Sequence, residues 1–353
     1  MKSLAQKTVT LKDIAKEVGI SPSTVSRAIN NEGRVSETTK RRISEAIKKL
    51  DYHPNIMARG LASKKTKSVG FVISKRRGRS LDRTSFYGKI IEGVEKEGRK
   101  YGYNPIFSVI NEEERKSASL QIVKENRVDG LILAGCDIDK KLVLSLKERK
   151  IPLVLVDNHF DKEKISCVVT DNLNGAYEAV TYLISLGHKR IGFVAEMLSD
   201  LSFYERLQGY KLALKEAGLN YEENLVQESR DDIGYTATKK LLESQLPPSA
   251  IFAANDSAAI QAMRAIRKKR LRIPQDIAIV GFDNGEVAPY TNPPLTTVRV
   301  FTKEMGQIAM RMLIGIINNK NPLPVKNLMF TELVIRESCG GKLKRENFRP
   351  LTH

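Results

Sequence analysis

Two short amphipathic helices joined by a tight turn are predicted near the start of the chain. Apolar residues recur at helical spacing from Leu11 to Val18, so one face of the first helix is expected to be buried. Gly19 follows at a position where a left-handed helix end favours glycine. Ser21 and Pro22 then supply a capping hydroxyl and a proline at the first helical position. The pattern predicts a helix-turn-helix, whose second helix enters the major groove of DNA.

The second helix separates its polar and apolar residues onto two faces. Val25, Ala28 and Ile29 are expected to pack inward. The outer face carries Pro22, Ser23, Ser26, Arg27 and Asn30. A helical hairpin within an enzyme is the alternative, because amphipathic helix pairs are common and a motif needs its context. The Ser-Pro cap and the nearby basic N-terminus favour DNA binding.

A third helix and a hinge are predicted next. Ser36 can cap a helix whose apolar stripe would close a small three-helix core. The segment that follows Asn55 is short and contains Gly60, so we expect it to become helical only when two copies pack together on DNA. Leu61 would then be an exposed apolar side chain suited to wedge between bases in the minor groove. The alternative is an ordinary linker that carries one exposed leucine.

From residue 68 onward the pattern changes to alternating strands and helices. Short runs rich in β-branched residues alternate with amphipathic stretches, including one helix predicted over 113–126, and a second such series begins at Asp171. Repeated βα units predict an α/β fold class, with parallel sheets covered by helices on both faces. Two series of similar length indicate two doubly wound subdomains, with ligands expected at the carboxyl ends of the strands.

Polar side chains stand at the ends of several predicted strands. Asp157, Asn255 and Asp283 each end an apolar run, and Arg206 lies near the start of an amphipathic helix in the second series. An arginine, an amide and carboxylates that converge on a crevice suit a neutral polyhydroxylated ligand, because hydroxyl groups both donate and accept hydrogen bonds. Capping of the next helix is the alternative role, and for Asp256 the two roles are equally supported.

The charge distribution supports a nucleic-acid partner. The 353-residue chain has a net charge of +18, which suits a polyanion. Residues 1–68 contain 15 Lys and Arg against 6 Asp and Glu, a net +9 that is half of the total. This is the distribution expected of a DNA-binding headpiece on a larger body.

Several other protein classes are disfavoured by the sequence. Three widely spaced cysteines and four histidines form no metal-ligand pattern, so we expect neither a metal nor a cofactor. The first residues show no apolar leader, and no apolar run is long enough to span a membrane, so we expect a cytoplasmic, nucleoid-associated protein. The missing leader also argues against a secreted sugar-binding protein. Without a Gly-rich phosphate loop or paired catalytic histidines, we do not expect an enzyme.

The motifs, taken in order, resemble those of the LacI/GalR family of bacterial transcriptional repressors over about residues 9–340. The motifs that carry the resemblance are VTLKDIA, TVSRAIN, YHPNIMARGLASKK, LGHKRIGFV, AIFAAND and RIPQDIAIVGFDN. The resemblance implies a homodimer on a pseudo-palindromic operator and a body similar to periplasmic sugar-binding proteins. It also implies allosteric control by a small effector, expected to be a sugar. Corepressor-dependent control of the purine-repressor type is the alternative.

The resemblance implies DNA contacts for individual residues. Positions matching Pro22, Ser23 and Arg27 lie in the major groove in the family, and the position matching Leu61 inserts at the operator centre. Arginine is the usual bidentate reader of guanine, which agrees with the first assignment. The other expected DNA contacts are Thr10, Ser21, Ser26, Asn30, Ser36, Thr39, Tyr52, Asn55 and Arg59.

The resemblance also implies an effector site and a domain layout. The expected effector contacts are Arg206, Asn255, Asp283, Asp157, Phe86 and Tyr87. The expected domains are a headpiece over 1–54, a hinge and linker over 55–67, an effector-binding and dimerisation domain over 68–340, and a tail over 341–353. Within the effector domain we expect one subdomain formed by about 68–170 and 297–328, and another formed by about 171–296 and 329–340.

Overall fold

The computed structural model describes residues 9–29, 33–52, 65–74, 84–135, 138–160, 162–320 and 323–341. The chain divides into two compact units, residues 1–66 and residues 67–353. The first unit is helical and the second is α/β.

The first unit is a three-helix core. Its helices are α1 (Leu11–Val18), α2 (Pro22–Ile29) and α3 (Glu37–Lys49). Ile14, Val25 and Ile43, one from each helix, are fully or almost fully buried together, and the ring of Tyr52 joins them. Because these apolar residues were spaced at helical intervals, the predicted three-helix arrangement follows directly from burying one face of each helix.

The second unit contains two six-stranded sheets. Its strands are β1 (Ser68–Ile73), β2 (Asn104–Val109), β3 (Leu131–Ala134), β4 (Leu153–Val156), β5 (Cys167–Thr170), β6 (Ile191–Ala195), β7 (Val226–Glu228), β8 (Ala250–Ala253), β9 (Ala278–Asp283), β10 (Thr296–Arg299), β11 (Lys326–Met329) and β12 (Glu332–Val334). The strand order is β2-β1-β3-β4-β5-β11 in the first sheet and β7-β6-β8-β9-β10-β12 in the second. All pairings are parallel except that of β10 with β12.

Helices cover both faces of these sheets. They are α4 (Thr84–Lys100), α5 (Glu112–Ser117), α6 (Gln121–Lys124), α7 (Lys140–Glu148), α8 (Asn172–Ser185), α9 (Leu201–Glu216), α10 (Tyr235–Leu242), α11 (Asp256–Lys268) and α12 (Thr302–Ile317). In the described part of the chain, no helix combines the length and the apolar character needed to cross a lipid bilayer.

The two halves repeat one topology, as the two series of βα units predicted. The chain crosses from the first sheet to the second after β5, returns after β10, and crosses a third time after β11. In each sheet the strand order reverses beside the first strand of its series, which is where doubly wound folds place ligands. The carboxyl ends of the strands therefore form the natural place for a site.

Glycines allow the helices that flank this place to approach very closely. A Cβ atom on Gly306 of α12 would lie 2.0 Å from the carbonyl oxygen of Ile90 on α4. A Cβ atom on Gly209 of α9 would lie 2.1 Å from the carbonyl oxygen of Leu173 on α8. Helices α4 and α9 are therefore held by backbone contact and not only by side-chain packing.

The helix predicted over 113–126 is wrong, because the structure contains two short helices there. Ala118 adopts a left-handed conformation with φ +46° between α5 and α6. The Glu114 carboxylate accepts hydrogen bonds from the backbone N–H groups of Asn111 at 3.0 Å and Gln121 at 2.8 Å. One side chain thus satisfies exposed donors at the starts of both helices, which compensates for the break. The predicted series also lacked helix α12 and the strands β5, β7, β10, β11 and β12.

Candidate functional site

Local capping interactions hold the two helices of the first unit at their turn. Gly19 ends α1 in the left-handed conformation, with φ +73°, and its N–H donates to the carbonyl of Ala15 at 2.9 Å. The hydroxyl of Ser21 accepts the N–H of Thr24 at 3.2 Å, so it caps α2 ahead of Pro22. These predicted caps are confirmed.

The outer face of α2 is open to solvent. Pro22, Ser23 and Arg27 are exposed, whereas Val25 is buried in the core of the unit. Arg27 therefore presents a guanidinium with five N–H donors on the same face as a small hydroxyl and an apolar ring. These side chains offer the donors and the apolar contact that base readout in a major groove uses.

Helix α3 supports this surface. The Ser36 hydroxyl accepts the N–H of Thr39 at 3.2 Å and caps the helix, as predicted. Arg42 donates to the carbonyl of Val18 at 2.8 Å, which ties α3 to the C-terminal end of α1.

The other expected DNA contacts have varied positions. Thr10 bonds to Asp13 through both its N–H and its hydroxyl at the start of α1, and Tyr52 is 7% exposed, with its ring in the core. Asn30, Asn55, Arg59 and Leu61 lie outside the described residues.

In the second unit, one cavity of about 460 Å³ lies at the carboxyl ends of the strands of both sheets. The residues expected to contact an effector all line this cavity: Phe86, Tyr87, Asp157, Arg206, Asn255 and Asp283. The rings of Phe86 and Tyr87 meet edge to face, with centroids 5.2 Å apart.

Arg206 forms the deepest cationic part of the cavity wall. It is 3% exposed, and its Cζ lies 3.7 Å from the centroid of the Phe282 ring. Its Nε donates to Asn172 at 2.9 Å, and its Nη1 donates to the carbonyl of Ala254 and lies 3.2 Å from the Asp283 carboxylate. Because the guanidinium lines the cavity, it can also donate to an acceptor group of a ligand there.

Ser202 with Asp157 and Lys89 with Glu286 form polar contacts that join the two halves of the body across the cavity. Asp157, which follows β4, accepts hydrogen bonds from Tyr87 on α4 and from Ser202 on α9, both at 3.1 Å. Lys89 of α4 lies 3.6 Å from the Glu286 carboxylate in the second half. Because the walls come from both halves, a ligand in this cavity would contact both of them at once.

Asp256 does not cap α11, and Asn255 takes that role. The Asn255 Oδ1 accepts the N–H of Ala258 at 2.7 Å. Asp256 instead accepts the N–H of Gly285 at 2.7 Å and contacts the Thr297 hydroxyl. Burial, and then the negative charge of Asp283, raise the pKa of Asp256 to about 8.

Both the amide oxygen and the amide nitrogen of Asn255 have hydrogen-bond partners within the protein. Besides its role as a cap, its Nδ2 donates to Glu196 at 3.2 Å. Only one N–H of this amide is left for a ligand, so Asn255 offers less to an effector than its position in sequence indicated.

Some polar residues at the cavity were not predicted from the sequence. Ser202 and Asp200 line it from the start of α9, and Glu196 lies behind Asn255 directly after β6. The position of Glu196 at the end of a strand is the same signal that identified Asp157 and Asp283. Asp200 and Ser202 lie in a loop of mixed composition, where strand-end position alone does not single them out.

Two family models match the chain. The model described as bacterial regulatory proteins, lacI family, matches residues 10–55. The model described as a periplasmic binding protein-like domain matches residues 180–339. The first match covers the helix-turn-helix, and the second covers most of the half of the body that contains Arg206.

A relative and two solved structures are similar along nearly the whole chain. The HTH-type transcriptional repressor PurR of Pasteurella multocida (strain Pm70) is 32% identical over 338 residues, covering 95% of this chain and 99% of the relative. The structure of the transcriptional regulator CelR with cellobiose is 32% identical, with a TM-score of 0.72 over 94% of this chain and 99% of CelR. The Lac repressor dimer bound to operator and the anti-inducer ONPF is 27% identical, with a TM-score of 0.81 over 94% of this chain and 99% of that chain.

These relatives are transcriptional regulators and not enzymes. The match of more than 30% identity extends over almost the full length of both chains. It therefore includes both the helical unit with the exposed α2 and the α/β unit with the cavity. This chain therefore belongs to the LacI family of bacterial regulatory proteins and is a DNA-binding transcriptional regulator.

Proposed function

We propose that this regulator represses transcription as a homodimer on a pseudo-palindromic operator, and that a sugar bound in the cavity controls its operator affinity. The exposed Pro22, Ser23 and Arg27 on α2 supply the surface for base contacts. The structural neighbours include a dimer on an operator and a regulator with cellobiose, which supports both parts of the proposal.

The observation that carries the effector part is the cavity between the two halves of the body. Its wall holds the buried guanidinium of Arg206 next to the carboxylate acceptors of Asp157 and Asp283. A ligand hydroxyl can accept from Arg206 and donate to Asp283 or Asp157, which matches a polyol. Because Ser202 of the second half already donates to Asp157 of the first half, a ligand there would compete with or reinforce a contact that joins the halves. Operator and effector would then change each other's affinity by the same factor.

A corepressor-dependent regulator of the purine type is the second candidate. The edge-to-face pair of Phe86 and Tyr87 offers ring surface to a planar base as well as to a sugar ring. The relative named PurR supports this candidate. The sign of the effect separates the two modes, because a corepressor raises operator affinity and an inducer lowers it.

The DNA part is tested by selecting duplexes from a random library with the full-length protein and measuring their binding by fluorescence anisotropy. Arg27→Ala should relax the base preference and weaken operator binding by about 1–3 kcal/mol. Arg41→Ala, which removes an exposed arginine from α3, is the matched control and should weaken all duplexes similarly. A wild-type protein that prefers no palindromic duplex over random DNA, with or without metabolites, would refute the proposal.

The effector part is tested on the same selected duplex with Asp283→Ala. This change should leave operator binding intact and abolish the response to the effector, since Asp283 lies on the cavity wall beside Arg206. An unchanged response to the effector would show that the ligand binds elsewhere.

A further inference from the structure

The loop that follows β9 has an uncommon backbone conformation at the cavity wall. Asp283 and Asn284 adopt φ angles of +109° and +51°, and together with Gly285 they line the cavity. Residues other than glycine rarely adopt positive φ, and such a conformation persists only where the surrounding structure holds it. The loop therefore needs anchors that keep the Asp283 carboxylate 3.2 Å from the Nη1 of Arg206.

Two side chains of the second half hold the backbone of this loop. The N–H of Asn284 donates to the Thr297 hydroxyl at 3.3 Å, and the N–H of Gly285 donates to the Asp256 carboxyl at 2.7 Å. Thr297 and Asp256 also contact each other through their side chains. These contacts fix the backbone of the loop, but the side chain of Asn284 has a different partner.

Arg336 is the partner of the Asn284 side chain, and it does not line the cavity itself. It lies two residues after β12, and its Nη2 donates to the Asn284 Oδ1 at 2.8 Å. Its Nη1 donates to the carbonyl of Leu295, directly before β10, at 2.7 Å. Because the guanidinium is planar and rigid, these two hydrogen bonds together fix the direction from which it holds Asn284.

The same loop is attached to the chain segments that cross between the two halves. Val300 follows β10 at the second crossing, and its N–H donates to the Asp283 carbonyl at 3.4 Å. Arg336 contacts Asn284 from the segment that follows the third crossing. A shift of one half relative to the other would therefore act on Asp283 both through its own carbonyl and through Asn284.

We propose that Arg336 is a positioning residue of the effector site, which holds the Asp283 carboxylate in place through Asn284 and links it to the third crossing between the halves. The inference rests on the proposed function in one respect, namely that Asp283 contacts the effector. Without the hydrogen bond from Arg336, the loop samples conformations in which Asp283 no longer lies beside Arg206. The affinity for a ligand then falls in proportion to the fraction of molecules whose loop is in the binding-competent conformation.

Hydrogen–deuterium exchange on the ligand-free, full-length protein tests the loop directly. Arg336→Met removes both donors and keeps an unbranched side chain, so the amides of Asn284 and Gly285 should exchange about 10-fold faster or more. Arg190→Met is the matched control, because Arg190 also donates to a backbone carbonyl, that of Leu246 at 2.8 Å, but directly before β6 and away from the cavity. The control should leave the exchange of both amides unchanged. Unchanged exchange in Arg336→Met overturns the inference, whether or not any ligand binds.

The effect on binding is measured by calorimetry with one sugar. The sugar is the one among glucose, galactose, ribose and cellobiose that raises the melting temperature of the wild type most. Arg336→Met should bind it about 10-fold more weakly or worse, because fewer molecules have the competent loop. Arg190→Met should bind it as the wild type does. Equal affinity in the wild type and in Arg336→Met overturns the inference.

A double-mutant cycle determines whether Arg336 acts through Asn284. Asn284→Gly removes the acceptor, and glycine adopts a φ of +51° without strain. Adding Arg336→Met to Asn284→Gly should then change the sugar affinity by less than about 2-fold. Losses that simply add would show a general structural role and would overturn the assignment. If Arg336→Met does not fold, Arg336→Lys replaces it in the cycle, because lysine keeps the charge without the rigid pair of donors.

Asp283→Ala separates the failure of this inference from the failure of the proposed function. If Asp283→Ala leaves sugar binding unchanged while Arg336→Met accelerates exchange, the assigned effector site is wrong and the anchoring of the loop stands. If Asp283→Ala abolishes sugar binding while Arg336→Met changes neither exchange nor affinity, the effector site stands and the role of Arg336 falls. If none of the four sugars binds, the result contradicts the proposed sugar effector, and the exchange experiment still decides the role of Arg336.

Discussion

The pH dependence of folding should change when Asp256 is replaced by asparagine. The Asp256 carboxyl is buried, accepts the N–H of Gly285 and contacts the Thr297 hydroxyl. An asparagine amide of the same shape can accept from Gly285 and donate to Thr297, so both contacts can be kept. What the substitution removes is the ionisation of a group whose pKa is raised to about 8, first by burial and then by the charge of Asp283.

The size of the effect follows from proton linkage. In the unfolded chain an aspartate has a pKa of about 3.9, so between that value and about 8 the folded protein holds one more proton at Asp256 than the unfolded chain does. The stability linked to this proton is fully present below pH 4 and is lost as the pH rises through 8. The slope is about 1.4 kcal/mol per pH unit. Between pH 5 and pH 8 the free energy of unfolding should fall by roughly 3–4 kcal/mol because of this one group.

The assay is urea unfolding of the wild type and of Asp256→Asn at pH 5, 6, 7 and 8, followed by circular dichroism. Other titrating groups cancel in the difference between the two proteins, so the variant should gain on the wild type as the pH rises. Asp276→Asn is the control, because Arg272 lowers the pKa of Asp276 to about 2 through hydrogen bonds to its carboxylate. The effect of that control should be the same at all four pH values. A constant difference between the wild type and Asp256→Asn would show that Asp256 is ionised throughout, and the reasoning would be wrong.

Two further predictions concern helix packing and capping. Gly306→Ala should lower the free energy of unfolding by about 2 kcal/mol or more, because its Cβ would lie 2.0 Å from the carbonyl oxygen of Ile90. Gly88→Ala on α4, where a Cβ meets nothing within 4 Å, is the matched control and should be neutral or slightly stabilising in the same urea titration. Ser36→Ala removes the acceptor for the Thr39 N–H and should destabilise the helical unit by about 1 kcal/mol. On mild heating, the variant should lose operator affinity at a lower temperature than the wild type, while circular dichroism shows that the body is still folded. The same temperature dependence in both proteins would contradict this prediction.

The features predicted best from the sequence are those whose physical cause is local. Gly19, Ser21 and Ser36 form hydrogen bonds with residues three or four positions away. Both partners of each interaction therefore lie within one short stretch of sequence. The alternation of apolar runs and amphipathic stretches likewise predicted the two βα series. The burial of a helix face or of a strand follows from the spacing of apolar residues alone. The exposed polar face of α2 belongs to this class.

The features that the sequence could not provide depend on distant partners. Asp256 looked like a helix cap, but its carboxyl contacts Thr297 and Gly285, which lie 41 and 29 positions away. Arg206 was expected to face a ligand, yet two of its nitrogens are already used by Asn172 and the Ala254 carbonyl. The break at Ala118 occurs without glycine or proline, so local propensity gives no sign of it. In each case tertiary contacts decide the outcome.

The net charge of the chain and the charges around the cavity lead to different expectations about a ligand. The net +18 and the basic first 68 residues point to a polyanionic partner, and membership of a DNA-binding family agrees with that. The same total would suggest an anionic effector if charge were uniform over the molecule. At the cavity, however, ion pairs such as Arg299 with Glu332 at 2.8 Å and Arg206 with Asp283 at 3.2 Å compensate the basic side chains individually. Because these distances are well below the screening length of about 8 Å, the immediate neighbours and not the total charge determine the electrostatic environment of the cavity.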